Sequence, residues 1–269
     1  MRLVVLLVAA FVIAPHTFGA DPALSGHSAK LYEQAKSGKW FADAAKLKPE
    51  IAATSDSESF IVIWKPNKEP KRWIVSLHGS NGFATDDLAL WHPHVKDRDV
   101  GLVCLQWWLG KDATPDYYTP KQVYHEIEIA LQKLGVKPGT VMLHGFSRGS
   151  ANSYAVAAMD AGRGQKYFSL CVASSGGVGL DYPATRAISK GEYGEHPLKG
   201  TRWITVAGKH DSHPDRDGIA GMKRTAEWLK EQDANIVESI EDPNEGHGAL
   251  MRNPKNARRV MELFFNEKR

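Results

Sequence analysis

Two hydrophobic patterns take turns along the chain. Short, mostly continuous apolar runs begin at Phe60 (FIVIW), Arg72 (RWIVSL), Val100 (VGLVCLQWW), Thr140 (TVML), Tyr167 (YFSLCVASS), Arg202 (RWITVAG) and Ile236 (IVESIED). Runs of this kind, closed by Pro66 or by glycines such as Gly79 and Gly145, predict strands. Between them, apolar residues recur at helical spacing. Residues 25–48 read as polar helix, 85–96 as a helix distorted by Pro93, and 150–161 as a helix of small residues. The clearest helix follows Thr119, which forms a Thr-x-x-Gln capping box with Gln122. Pro120 suits its first position, Val123, Ile127, Ala130, Leu131 and Leu134 make one stripe, and Gly135 stops it. Residues 218–232, with Met222, Ala226, Trp228 and Leu229 apolar, and the closing ARRVMELFF stretch complete the set.

Strands that alternate with helices, and that are apolar on both faces, predict an α/β fold: a mostly parallel sheet with helices on both sides. No repeat, low-complexity tract or linker divides residues 21–269, which read as a single domain. Residues 176–200, rich in glycine and charge, break the alternation. They predict a surface excursion near the strand ends, too short for more than a minimal cap.

The N-terminus follows another rule. Residues 3–14 are uninterruptedly apolar behind Arg2, Pro15 ends the run, and the small residues Gly19 and Ala20 precede Asp21. That is the shape of a secretory signal peptide over residues 1–20, with bulky Phe18 an imperfection in its cleavage box. The run is shorter than the roughly 20 residues a membrane span needs. Cleavage would leave a secreted or periplasmic chain with no stable membrane anchor. An oxidising compartment permits disulfides, yet Cys104 and Cys171 both sit inside apolar strands and read as buried free thiols. Across 269 residues, 34 lysines and arginines against 31 acids give a net charge of +3. Without a long basic run, that balance speaks against nucleic acid as a partner.

The candidate chemistry lies at the strand ends. Gly145-Phe146-Ser147-Arg148-Gly149 fits G-x-S-x-G between a predicted strand and a predicted helix, the context in which that motif presents a nucleophilic serine. A hydroxyl needs a base and an orienting acid, in the order Ser, acid, His along such a fold. Asp211, directly after RWITVAG, and His247, in Glu-Gly-His-Gly after IVESIED, meet that order; Asp215 and Asp217 lie further from the strand end. An oxyanion hole needs two backbone N–H groups. The Arg148 amide is the first, and Ser80 in the His78-Gly79-Ser80-Asn81-Gly82 turn supplies the second, with Asn81 in reserve. His78 and His144 precede glycines at strand ends and read as supports for the two turns. His92, His94, His210 and His213 match no closed zinc pattern, so neither a metal nor any other cofactor is expected.

With LHGSNG, GFSRG, GKHD and EGHG in this order, the chain from Phe60 to its end resembles the α/β-hydrolase-fold serine hydrolases. Within them it resembles compact secreted esterases: feruloyl and acetylxylan esterases, polyhydroxyalkanoate depolymerases and dienelactone-hydrolase-like proteins. The resemblance implies hydrolysis of carboxylic esters, small or polysaccharide-linked, through an acyl-enzyme on Ser147, with His247 as proton shuttle and Asp211 orienting it. Asn81, Trp107 and Trp108 are candidate substrate contacts, although adjacent strand residues face opposite ways, so one tryptophan at most enters the cleft. The Arg148 side chain has three readings: a helper of the oxyanion, a partner for a substrate carboxylate, or one half of a salt bridge. Two rival functions remain: a prolyl-oligopeptidase-like peptidase, and a carbohydrate-binding or scaffold protein that kept the fold without catalysis.

Overall fold

The apolar runs form strands because each buries side chains on both faces of one sheet. The protein is represented by a computed structural model that describes residues 23–111, 113–164 and 166–266; the leader predicted at residues 1–20 lies outside them. In chain order the elements are α1 (Gly26–Ala35), α2 (Phe41–Lys46), β1 (Glu50–Ala53), β2 (Phe60–Trp64), β3 (Arg72–Leu77), α3 (Ala84–Val95), β4 (Val100–Leu105), α4 (Pro120–Lys133) and β5 (Val141–Phe146). There follow α5 (Arg148–Ala161), β6 (Phe168–Ser174), α6 (Pro183–Ser189), β7 (Arg202–Gly208), α7 (Ile219–Glu231), β8 (Asn235–Asp242), α8 (Ala249–Arg252) and α9 (Pro254–Phe265).

The strands make one eight-stranded sheet in the order β1-β2-β4-β3-β5-β6-β7-β8. β1 and β2 are antiparallel to their neighbours, and all other pairs are parallel. The period of two sorts the side chains into two cores. Trp73, Val75 and Leu77 of β3 join Val141 and Leu143 of β5 under α4, α5 and α7. Ile74, Leu102, Cys104 and Met142 face the other way, against Leu31, Leu88, Trp91, Val260 and Phe264 of α1, α3 and α9. Cys104 on β4 and Cys171 on β6 are free and buried, with β3 and β5 between them.

The capping box of α4 forms in full: Thr119 Oγ1 accepts from the Gln122 amide (3.3 Å), and Gln122 Oε1 accepts from the Thr119 amide (3.0 Å). The polar helix expected over residues 25–48 is instead two helices, broken at residues 36–40. Strand β1 has no counterpart in the apolar pattern, because its four residues lie at the half-exposed edge of the sheet. The excursion at residues 176–200 carries the short helix α6.

Parallel pairing brings the carboxyl ends of the strands to one edge. Leu77 pairs with Gly145, Phe146 with Ser174, and Gly208 with Asp242. β3 lies between β4 and β5, so consecutive connections depart in opposite directions there. Such a switch point leaves a crevice at the carboxyl ends of an open α/β sheet.

Candidate active site

At the end of β5 the chain turns straight into α5. Ser147 takes φ 54° and ψ −119°, a left-handed conformation that is strained for a side chain with a Cβ. Its amide donates to Ser174 O (2.8 Å), which ties the turn to β6. The flanking glycines are required by contact. A Cβ on Gly145 would sit 2.5 Å from Gly149 O, and one on Gly149 would sit 2.1 Å from Leu77 O.

The hydroxyl so presented meets a base. His247 Nε2 lies 2.9 Å from Ser147 Oγ, and His247 Nδ1 lies 2.8 Å from Asp211 Oδ2. The ionised carboxylate can only accept, so Nδ1 carries a proton and Nε2 offers its lone pair to the serine. The second oxygen of Asp211 accepts from the His213 amide (2.8 Å). The Asp211 side chain is fully buried, whereas that of His247 is 33% exposed, so the base faces the cleft and its acid does not. The three residues come from three separate strand ends.

No protein-family model matches the sequence, and no curated protein matches it significantly. Solved structures do. A Bacillus cereus carboxylesterase is 15% identical with a TM-score of 0.53, over 76% of this chain and 92% of its own. An esterase from Rhizomucor miehei is 12% identical with a TM-score of 0.60, over 92% of this chain and 97% of its own. A proline iminopeptidase from Mycobacterium smegmatis is 12% identical with a TM-score of 0.55, over 76% of this chain and 93% of its own. The chain has the α/β-hydrolase fold.

In this fold the turn after β3 sits beside the serine, as β3 pairs with β5. Ser80 is exposed in that turn. The reserve donor is already engaged: the Asn81 amide, at φ 54°, donates to Tyr117 Oη (3.0 Å), which donates back to Asn81 Oδ1 (3.1 Å). Beneath the turn, buried His78 accepts from the Trp107 amide at Nε2 (3.3 Å) and donates from Nδ1 to Gly79 O (2.8 Å). Burial lowers its pKa to about 4, so it stays neutral and holds this arrangement.

The two tryptophans do not occupy the cleft surface. Trp107 is 1% exposed, donates from Nε1 to His78 O (3.0 Å), and belongs to one core; Trp108 is 5% exposed, packs against Phe83, and belongs to the other. They point opposite ways, as strand geometry requires, but the chain bends them both inward. They support the turn and do not offer a binding face.

Two carboxylates near the site were less legible. Asp217 is buried, is held by the Arg216 guanidinium (2.6 Å), and with Asp211 and His247 brings its ligand atom within 4.8 Å of the others. Asp242, at the end of β8, braces the histidine loop. It accepts from the amides of Asn244 and Glu245 and from the carboxamides of Asn253 and Asn256. Burial opposes its charge, but these four donors outweigh burial and lower its pKa. Replacing it with alanine strands buried donors and loosens the loop that aims His247. Asp242→Ala should cut kcat by roughly ten- to hundredfold with a smaller change in KM; an unchanged kcat in folded protein would remove Asp242 from the site.

His144, one turn of strand before the nucleophile, is buried and neutral, its pKa lowered to about 3 by burial. Its Nδ1 accepts from Trp91 Nε1 (3.1 Å) and lies 2.9 Å from Ser76 Oγ, which is 2.5 Å from Asp87 Oδ2. Burial pushes the Asp87 carboxyl up to about 7, with Ser76 opposing and Asp86 reinforcing the shift. Ser76 Oγ donates to Asp87 Oδ2, while His144 Nδ1 takes the Trp91 N–H. The folded chain therefore keeps a proton that the unfolded chain releases near the ordinary carboxyl value of 3.8. Stability then falls as pH rises from about 4 to about 7 and levels off above. Urea midpoints at pH 5 and pH 8 test this: Asp87→Asn should lose about 3 kcal/mol less than the parent between them. His144 stays neutral in both folded proteins over this range, and its protonation in the unfolded chains is common to both and cancels.

Proposed function

We propose that the protein is an exported serine esterase that hydrolyses carboxylic esters through an acyl-enzyme. The observation that carries this reading is the relay from Ser147 Oγ through His247 to Asp211, at 2.9 and 2.8 Å. His247 takes the serine proton as Oγ attacks the ester carbonyl, and the imidazolium that forms is stabilised by Asp211. The amides of Arg148 and Ser80 receive the charge on the carbonyl oxygen. His247 then protonates the leaving alcohol, and a water repeats the sequence to release the acid. Neutral His247 is the working base, so activity falls in acid.

The short excursion at residues 176–200 leaves room for bulky esters, aromatic acyl groups or esters on a polysaccharide. Export rests on the leader at residues 1–20. The test is a fluorophosphonate probe followed by hydrolysis of 4-nitrophenyl acetate and of proline anilide. Labelling with cleavage of the ester supports an esterase, cleavage of the anilide alone points to a peptidase, and folded protein that does not label is a non-catalytic relative.

A further inference from the structure

Three surface arginines of this protein pair with acids. Arg163 meets Glu128, Arg216 meets Asp217, and Arg259 meets Glu238 and Glu262. Arg148, next to the nucleophile, does not. Among the described residues its neighbours are two phenols: its guanidinium carbon lies 4.1 Å from the centre of the Tyr117 ring, and Tyr182 lies beside it. Tyr182 is no counter-charge, since burial raises its pKa despite the opposing arginine.

The Tyr117 ring stacks on this cation. Tyr117 is also fastened to the oxyanion turn through both polar groups of Asn81, at 3.0 and 3.1 Å. Tyr182 caps α6 in the excursion after β6. Stacking fixes the guanidinium plane, and five N–H donors exceed what two phenols can accept. A flat, oriented, uncompensated cation with donors to spare suits a carboxylate. A salt bridge on the nucleophile helix, one of the readings left open by the sequence, finds no acid to complete it among the described residues.

We propose that Arg148, set by Tyr117 and Tyr182, binds a free carboxylate on the substrate, so that the enzyme prefers esters carrying a second, ionised acid group. The inference rests on the esterase reading and narrows it. The carboxylate can belong to the acyl part or to the alcohol, and two matched pairs distinguish them. Mono-4-nitrophenyl succinate against 4-nitrophenyl butyrate probes the acyl side; 4-acetoxybenzoate against phenyl acetate probes the alcohol side.

The quantity read is the ratio of kcat/KM within each pair, because altering Arg148 beside Ser147 affects both members. The full-length protein should favour the anionic member of one pair by roughly ten- to hundredfold. The ratio should shrink as salt is raised. Arg148→Gln should erase it, and Arg148→Lys, which keeps the charge but not the fork, should keep part of it. No preference in either pair, a preference untouched by Arg148→Gln, or protein that takes the phosphonate label yet cleaves none of the four esters overturns the anion site alone. Folded protein that neither labels nor cleaves removes the esterase reading, and this inference with it.

Discussion

Ser147→Ala is expected to lower ester hydrolysis by about 10⁴-fold or more and to abolish phosphonate labelling, with the fold intact. The reasoning runs from geometry. The hydroxyl sits 2.9 Å from an imidazole whose other nitrogen is fixed by a buried carboxylate, so removing Oγ removes the nucleophile that this base faces. Alanine keeps the Cβ already accommodated at φ 54°, so strain at the turn does not grow. Catalysis and binding separate here: KM for residual turnover, or the affinity for a slow ester, should change little, because the proposed oxyanion donors, the amides of Ser80 and Arg148, remain. His247→Ala should fall almost as far, and Ser147→Ala/His247→Ala no further than either alone, since the two residues act as one unit. Equal labelling of Ser147→Ala and the parent would place the reactive group elsewhere and end the triad assignment.

Much of this was readable from residue order. Elements with a simple physical signature are legible: the capping box at Thr119 and Gln122, the glycines around Ser147, and the acidic and histidine loops directly after β7 and β8. Each depends on neighbours in sequence. What depends on neighbours in space is not. Asp242 looks like the last residue of a strand, and only the fold shows four donors converging on it. Asp87 and His144 are 57 positions apart and meet through Ser76 on an intervening strand. Trp107 and Trp108 follow an apolar run and look available to a ligand, yet the chain beyond β4 folds back, with Trp108 bridged to Tyr117, and buries both. Strand β1 is invisible because an edge strand of four residues buries too little to need an apolar pattern.

The closeness of the two turns makes a second large effect. Gly149→Ala should destabilise the protein by about 3 kcal/mol or more and depress activity beyond what the lost folded fraction explains. A Cβ there would lie 2.1 Å from Leu77 O and 2.6 Å from His78 O, both backbone atoms that cannot rotate aside. Relief requires α5 to retreat from the end of β3. That movement separates Ser147 and the Arg148 amide, on one side, from Ser80 in the turn after β3, on the other. Overpacking of a well-filled site costs typically 1–3 kcal/mol when side chains can yield, and here only backbone can. The two consequences are read separately: urea unfolding gives the stability loss, and titration with the phosphonate probe counts competent sites. Turnover per labelled site should still fall by roughly ten- to hundredfold, as loss of an oxyanion donor does. A variant with parental stability and turnover would mean that α5 and β3 are free to part, and that the crevice does not depend on their contact.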